Sequence, residues 1–191
     1  MEVKKPILKK TELQKIDHLE ISSVVDIDFS ILDTFSCASE DIEEFKISTS
    51  VVENLLASRA KIGEFIVRDA TFTRCDFSGV ISNMTTLERV EINKSRIQGT
   101  QFMNSNVLDV TIKNSKGGSS SFRFSKLKNV AFVECDMHDA DFQGADMENV
   151  IFEHCNLEGL KLSGTKLQNV DIRTSQVEGI QIDKDSFKKV I

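Results

Sequence analysis

The sequence predicts an all-β chain, a four-sided parallel β-helix (a solenoid) of about eight 20-residue coils. Three observations carry that prediction. Counting by fives from Ile27 to Phe187 gives 33 positions, of which 31 are apolar, with Ser82 and Gly117 as the exceptions. In a chain that is 40% apolar overall, chance would supply about 13. The second observation is that small or β-branched residues precede these positions by two, as at Ala70, Cys75, Val80, Thr85 and Val90. In extended backbone residues two apart point the same way, so each five-residue unit is a very short strand with two inward residues, followed by a bend. The third is a longer period of 20, seen in Val90, Val110, Val130, Val150, Val170 and Val190 and in Asn129, Asn149 and Asn169. Four five-residue sides close one coil. Stacked at the strand spacing of ~4.8 Å, about eight coils make a rod on the order of 40 Å long.

The elements follow in chain order. Residues 1–24 lack the five-residue phase and are expected to form an N-terminal cap or arm, because the first coil of a solenoid otherwise exposes apolar surface. Residues 25–191 form the β-helix, degenerate over 25–69 and regular over 70–191. The degenerate part keeps its central apolar residues but carries Glu40 and the bulky Phe35, Phe45 and Phe65 two positions earlier. Phe187, Val190 and Ile191 end the chain with no visible capping helix. An open last coil leaves unpaired edges, so pairing of two such ends into a homodimer is expected.

Several segments fit the consensus A(D/N)LXX. They are Ala140-Asp141-Phe142-Gln143-Gly144, Ala145-Asp146-Met147-Glu148-Asn149, Cys155-Asn156-Leu157-Glu158-Gly159 and Cys75-Asp76-Phe77-Ser78-Gly79. On these the chain resembles the pentapeptide-repeat family, and the resemblance implies a right-handed quadrilateral parallel β-helix. It further implies an interaction role without catalysis. The chain is similar to the quinolone-resistance members that act as DNA mimics on type II topoisomerases, so DNA gyrase or topoisomerase IV is the partner that this resemblance suggests. The chain departs from them in having no long loop between coils and in a middle third, residues 59–128, with twelve basic residues against six acids.

Composition narrows the function classes. There are 13 Phe but no Trp or Tyr, so the rings serve as hydrocarbon filling with no polar group to satisfy. No stretch approaches the roughly 18 apolar residues of a membrane span. Lysines at the N-terminus without an apolar segment argue against a secretory signal, and a cytoplasmic location is expected. Cys37, Cys75, Cys135 and Cys155 lack metal-type spacing and read as small buried residues, although Cys135 and Cys155 should be stacked neighbours. His138 and His154 face outward on different sides. The run from Lys116 to Ser121 lacks the frame of a phosphate loop. No catalytic, cofactor or metal site is expected.

Two surfaces remain as candidates. Asp136, Asp139, Asp141, Asp146, Glu148, Glu153 and Glu158 fall on outward positions and form an acidic interaction surface. Such carboxylates either imitate DNA phosphates or stack against opposite charges 20 residues away, as Lys128 does under Glu148 and Arg173 over Glu153. Ile81, Met84, Met103 and Phe124 form an apolar contact patch on one side. The function expected is that of a protein-binding rod with neither direct nucleic-acid binding nor membrane association.

Overall fold

A computed structural model describes residues 2–8, 11–16, 19, 21–82 and 84–184. The expectations for Phe187, Val190 and Ile191, including the dimer end, lie outside the described residues. The fold is an all-β, right-handed parallel solenoid of about eight turns. Its regular elements are β1 (Gln14–Ile16), β2 (Val24–Asp28), β3 (Ser30–Asp33), β4 (Asp41–Glu53), β5 (Lys61–Thr73), β6 (Met84–Asn93), β7 (Asn106–Lys113), β8 (Lys126–Val133), β9 (Asp146–Glu153) and β10 (Lys166–Asp171). From β4 to β10 each strand pairs in parallel with the next at an offset of 20, for example Val110 with Val130 and Val130 with Val150.

The four sides differ. Side 1 (around Val67 and Val107) and side 2 (around Phe72 and Ile112) carry the continuous ladders. Side 3 (around Phe77 and Met137) and side 4 (around Phe102 and Phe142) are held by single bridges such as Asp76–Arg96–Lys116–Asp136 and Ile81–Gln101–Ser121–Asp141.

Every central residue from Ile27 to Leu167 is buried, including Ser82 and Gly117. At Gly117 a Cβ would lie 2.5 Å from Sδ of Met137 and 3.1 Å from Cγ1 of Ile97. The plug missing there is supplied by side chains from the coils above and below. Toward the C-terminal end the core opens, with Ile172 and Ile182 half-buried and Val177 44% exposed. Between coils the phenylalanines stack. Phe122 lies 5.1 Å from Phe142 and Phe132 lies 4.8 Å from Phe152, with interplanar angles of 9° and 5°.

The bends have one conformational signature. All 27 residues with positive φ, 21 of them not glycine, sit two places after a central residue. Left-handed backbone disfavours L-residues, and Asn, Asp and Gly tolerate it best. At the corner between sides 1 and 2 the residues repay that strain by bonding to one another. Asn169 donates to Asn149 at 3.0 Å, Asn149 to Asn129 at 3.1 Å and Asn129 to Asp109 at 3.0 Å. Three coils lower in that column Arg89 holds Asp69 through Nε and Nη2, both at 2.7 Å.

The early coils keep the five-residue phase through their bulky residues. Phe45 and Phe65 are buried with centroids 5.7 Å apart, Phe35 is half-buried, and Glu40 turns out to solvent. The preceding corner changes to suit. Glu44, Glu64 and Met84 do not adopt positive φ, whereas Asn104, Phe124, Gly144 and Gly164 at the same corner do. β4 and β5 therefore run unbroken across it for 13 residues each. An extended corner carries the next Cα outward and makes room for a ring, where later coils place Ser105, Ser125 and Ala145.

The small inward residues also satisfy backbone. The Cys75 amide donates to the Ser95 hydroxyl at 3.0 Å, and the Ser95 amide to Ser115 at 3.0 Å. Serine at this position supplies an acceptor to an amide that would otherwise be buried unpaired. Ahead of the first coil β1 pairs with β3, and Ile16, Leu19 and Ile21 pack against the core. The Ile7 amide donates to Asp69 at 2.9 Å, so the N-terminal segment reaches the third coil.

Candidate interaction surfaces

A rod with all its inward positions filled leaves function to its four flat sides. Among the described residues no group of three or more His, Cys, Asp or Glu could hold a metal ion. No described helix is long and apolar enough to cross a membrane.

The cysteines are part of the packing. All four are free thiols with 1–3% exposure. Burial pushes the Cys37 thiol up to about 12 and Cys75 to about 11. Cys135 is pushed up by the neighbouring Cys155 sulfur and by burial. Cys135 and Cys155 each contact a carbonyl of their own coil and one of the coil below, with Sγ–O distances of 3.3–3.5 Å. Thiols held so are poor nucleophiles.

The seven acids ring the rod on all four sides, and the charge ladder accounts for three of them. Glu148 meets Lys128 at 2.9 Å, Asp146 meets Lys166 at 3.8 Å and Asp141 meets Arg123 at 3.7 Å. The same 20-residue pairing joins Lys61 to Asp41, Arg68 to Glu88 and Arg96 to Asp76. One expected rung is absent. Arg173 turns to Asp171 in its own coil, with Nη2–Oδ2 of 2.6 Å, because the two side chains share side 2 and reach each other without crossing a coil. Glu153 instead lies 4.0 Å from His154.

Asp136, Asp139 and Glu158 share side 3. Asp136 accepts from Nδ2 of Asn156 at 3.1 Å and sits 2.8 Å from Nδ1 of His138. Partial burial pushes the Asp136 carboxyl up, but the bonds from His138 outweigh it and the net shift is downward. The bond to Asp136, aided by the charges of Asp139 and Glu158, holds His138 above its ordinary value. The imidazole lies over Gly118, where a Cβ would stand 2.2 Å from Cε1.

The apolar patch lies on side 4. Met84 is 62% exposed, Phe124 56% and Ile81 37%, while Met103 is half-buried among them. Phe124 leans over Gly144, and the Arg123 guanidinium stands 5.4 Å above its ring. Toward the N-terminal end the same side opens into a shallow groove of about 510 Å³, lined by Asp41, Ile42, Lys61, Gly63 and Ile81 among others. Gly63 has no side chain because a Cβ would meet the Glu43 carbonyl at 2.6 Å. This groove, continuous with the apolar row, went unseen in the sequence, although a glycine at an outward position beside Ile81 was its available signal.

Residues 125–190 match the family model of the pentapeptide repeat region. The chain carries a pentapeptide repeat region. The described part of that match coincides with the coils where the Asn ladder and stacked phenylalanines are most regular. No curated protein matches the chain. Among solved structures it is similar to trypsin-treated QnrB1, a plasmid-mediated fluoroquinolone resistance protein, with 19% identity, 91% of this chain and 89% of that chain covered, and a TM-score of 0.46. It is also similar to HetL, a pentapeptide repeat protein involved in heterocyst differentiation regulation from the cyanobacterium Nostoc sp. strain PCC 7120, at 11% identity, with 82% and 86% covered and a TM-score of 0.29. A third is Rfr23 from the cyanobacterium Cyanothece 51142, at 12% identity, with 82% and 90% covered and a TM-score of 0.22.

Proposed function

We propose that this pentapeptide-repeat chain is a non-catalytic, cytoplasmic protein-binding rod that docks its partner along side 4. The observation that supports this reading is the row of Ile81, Met84 and Phe124, left outward and exposed beside the shallow groove at Gly63. A row of large apolar side chains along one flat side costs solvation unless something covers it. In the same reading residues 1–24 cap the first coil, which the packing of Ile16, Leu19 and Ile21 on the core supports. The test is affinity capture with the tagged protein and with Phe124→Asp, both checked by circular dichroism for an unchanged β signal. A partner retained by the parent and lost with Phe124→Asp is expected. Equal capture by both refutes the docking site.

A second reading, a DNA mimic that binds DNA gyrase or topoisomerase IV, draws support from Asp136, Asp139 and Glu158. These have no Lys or Arg salt bridge among the described residues. The same side carries Arg96 and Lys116 lower down, so its charge reverses along the rod where a duplex is negative throughout. A supercoiling assay with purified protein decides it. Inhibition or protection at near-stoichiometric amounts supports mimicry, and no effect in clear molar excess removes it.

A further inference from the structure

Side 3 has an order that neither reading uses. Its ladder of bridges runs Asp76–Arg96–Lys116–Asp136–Asn156–Gln176, one residue per coil. The third to fifth coils present Arg96 and Lys116, with Lys94 on the adjoining corner. The sixth to eighth present Asp136, Asp139, Glu158 and Glu178. Neither Lys94 nor Lys116 has a salt bridge to a described residue, and Asp136 turns to His138 and Asn156 and not to Lys116 beneath it. The corner column on this side contains Gly79, Gly99, Gly159 and Gly179, all with positive φ between 63° and 69°. That side is therefore smooth along one margin, basic at one end and acidic at the other.

A surface of that kind is complementary to itself. We propose that a second copy of this chain docks on side 3, antiparallel, about a two-fold axis lying between the coils of Lys116 and Asp136. Such an axis exchanges the fifth coil with the sixth, the fourth with the seventh and the third with the eighth, and it preserves the columns. Lys116 then meets Asp136 of the second copy, twice by symmetry. Gly99 meets Gly159 of the second copy and Gly79 meets Gly179, which lets the two margins approach closely. The Arg96 end lies against the Glu158 end. A parallel arrangement would set Lys116 against Lys116 and Asp136 against Asp136. Charge alone selects the antiparallel form.

The footprint sets the strength. Six coils at ~4.8 Å and a side of five residues at ~3.3 Å give roughly 450 Å² per copy, or ~900 Å² for the pair. Standard stable interfaces bury about 1,200–2,000 Å². The association is thus a weak one in which electrostatic complementarity fixes the register, and salt weakens it as the Debye length falls from ~10 Å at 0.1 M to ~3 Å at 1 M.

Sedimentation velocity of the full chain tests this with three samples: the parent, Lys116→Glu and Asp136→Lys. The parent is expected to dimerise at low ionic strength and to dissociate at about 1 M salt. Each variant alone sets like charges together at the axis and is expected to be monomeric. An equimolar mixture of the two restores opposite charges at both contacts and is expected to dimerise again. Recovery on mixing cannot come from a change in folding, because neither variant changes its sequence when mixed. Three results each overturn the proposal: a parent that is monomeric at low ionic strength, a parent dimer indifferent to both substitutions (as association through the C-terminal end would be), or a mixture that stays monomeric.

Discussion

Replacing Phe142 by alanine tests the stacking of coils most directly. The ring is fully buried and meets three others, stacked on Phe122 at 5.1 Å and edge-on to Phe132 and Phe152 at 6.0 and 5.9 Å. Phe→Ala in a packed core costs ~3–5 kcal/mol through lost transfer energy and the cavity left behind. Loss of the ring pairs places Phe142 at the upper end of that range. With a urea m-value of ~2 kcal/mol/M, a cost of ~4 kcal/mol moves the unfolding midpoint down by ~2 M. Phe124→Ala removes the same atoms from an exposed position and is expected to cost under about 1 kcal/mol, in line with ordinary surface substitutions. Urea melts of the two variants and the parent, followed by circular dichroism, measure the difference. Equal midpoints for Phe142→Ala and Phe124→Ala would refute the assignment of Phe142 as an inward plug.

Two further outcomes follow from the corners. Asn149→Ala loses both ladder bonds and places a Cβ without a local partner at φ 55°, whereas Asn149→Gly loses the bonds alone. Thermal melts should therefore rank parent above glycine above alanine, with ~1 kcal/mol between the two variants from left-handed strain; alanine equal to glycine contradicts that strain. For His138 and Asp136 the signs are opposite. His138 is raised above 6.5, so its contribution is complete below that value and is lost as pH climbs through the folded pKa. Asp136 is lowered below 3.8, so its contribution is complete above that value and is lost as pH falls through the folded pKa. The pair stabilises fully between about 4 and about 6.5. A proton NMR titration should place His138 above its ordinary pKa in the parent and lower in Asp136→Asn, and an unmoved His138 would contradict the contact.

How much was legible in the sequence depended on whether a feature repeats. The inward phase was readable because one residue in five obeys a single constraint for 140 residues and more. The ladder was readable for Lys128 and Glu148, which stand in one column. It failed for Arg173 because a long side chain can choose a partner within its own coil, and a column count carries no rotamers. The early coils looked irregular since Phe45 and Phe65 break the small-residue preference. What accommodates them is a backbone change at Glu44 and Glu64, and no residue type in the sequence announces it. The apolar row was visible as a row, but the groove beside it depends on the absence of one side chain at Gly63. Side 3 was missed as a surface for a different reason. Its acids were grouped with others by proximity in the chain, when the meaningful neighbours are 20 apart.

The strict offset of 20 between paired strands limits how a chain of this shape can change in length. Removal of five residues would turn everything beyond the cut by a quarter of a revolution and carry the charges of one side onto the next. Removal of one or two would set inward residues outward through all later coils. Only whole coils can be gained or lost without penalty to the rest. Tandem duplication or deletion of a 20-codon unit is thus the natural mutational step. Each such step would lengthen or shorten the surfaces by ~4.8 Å while leaving their pattern intact.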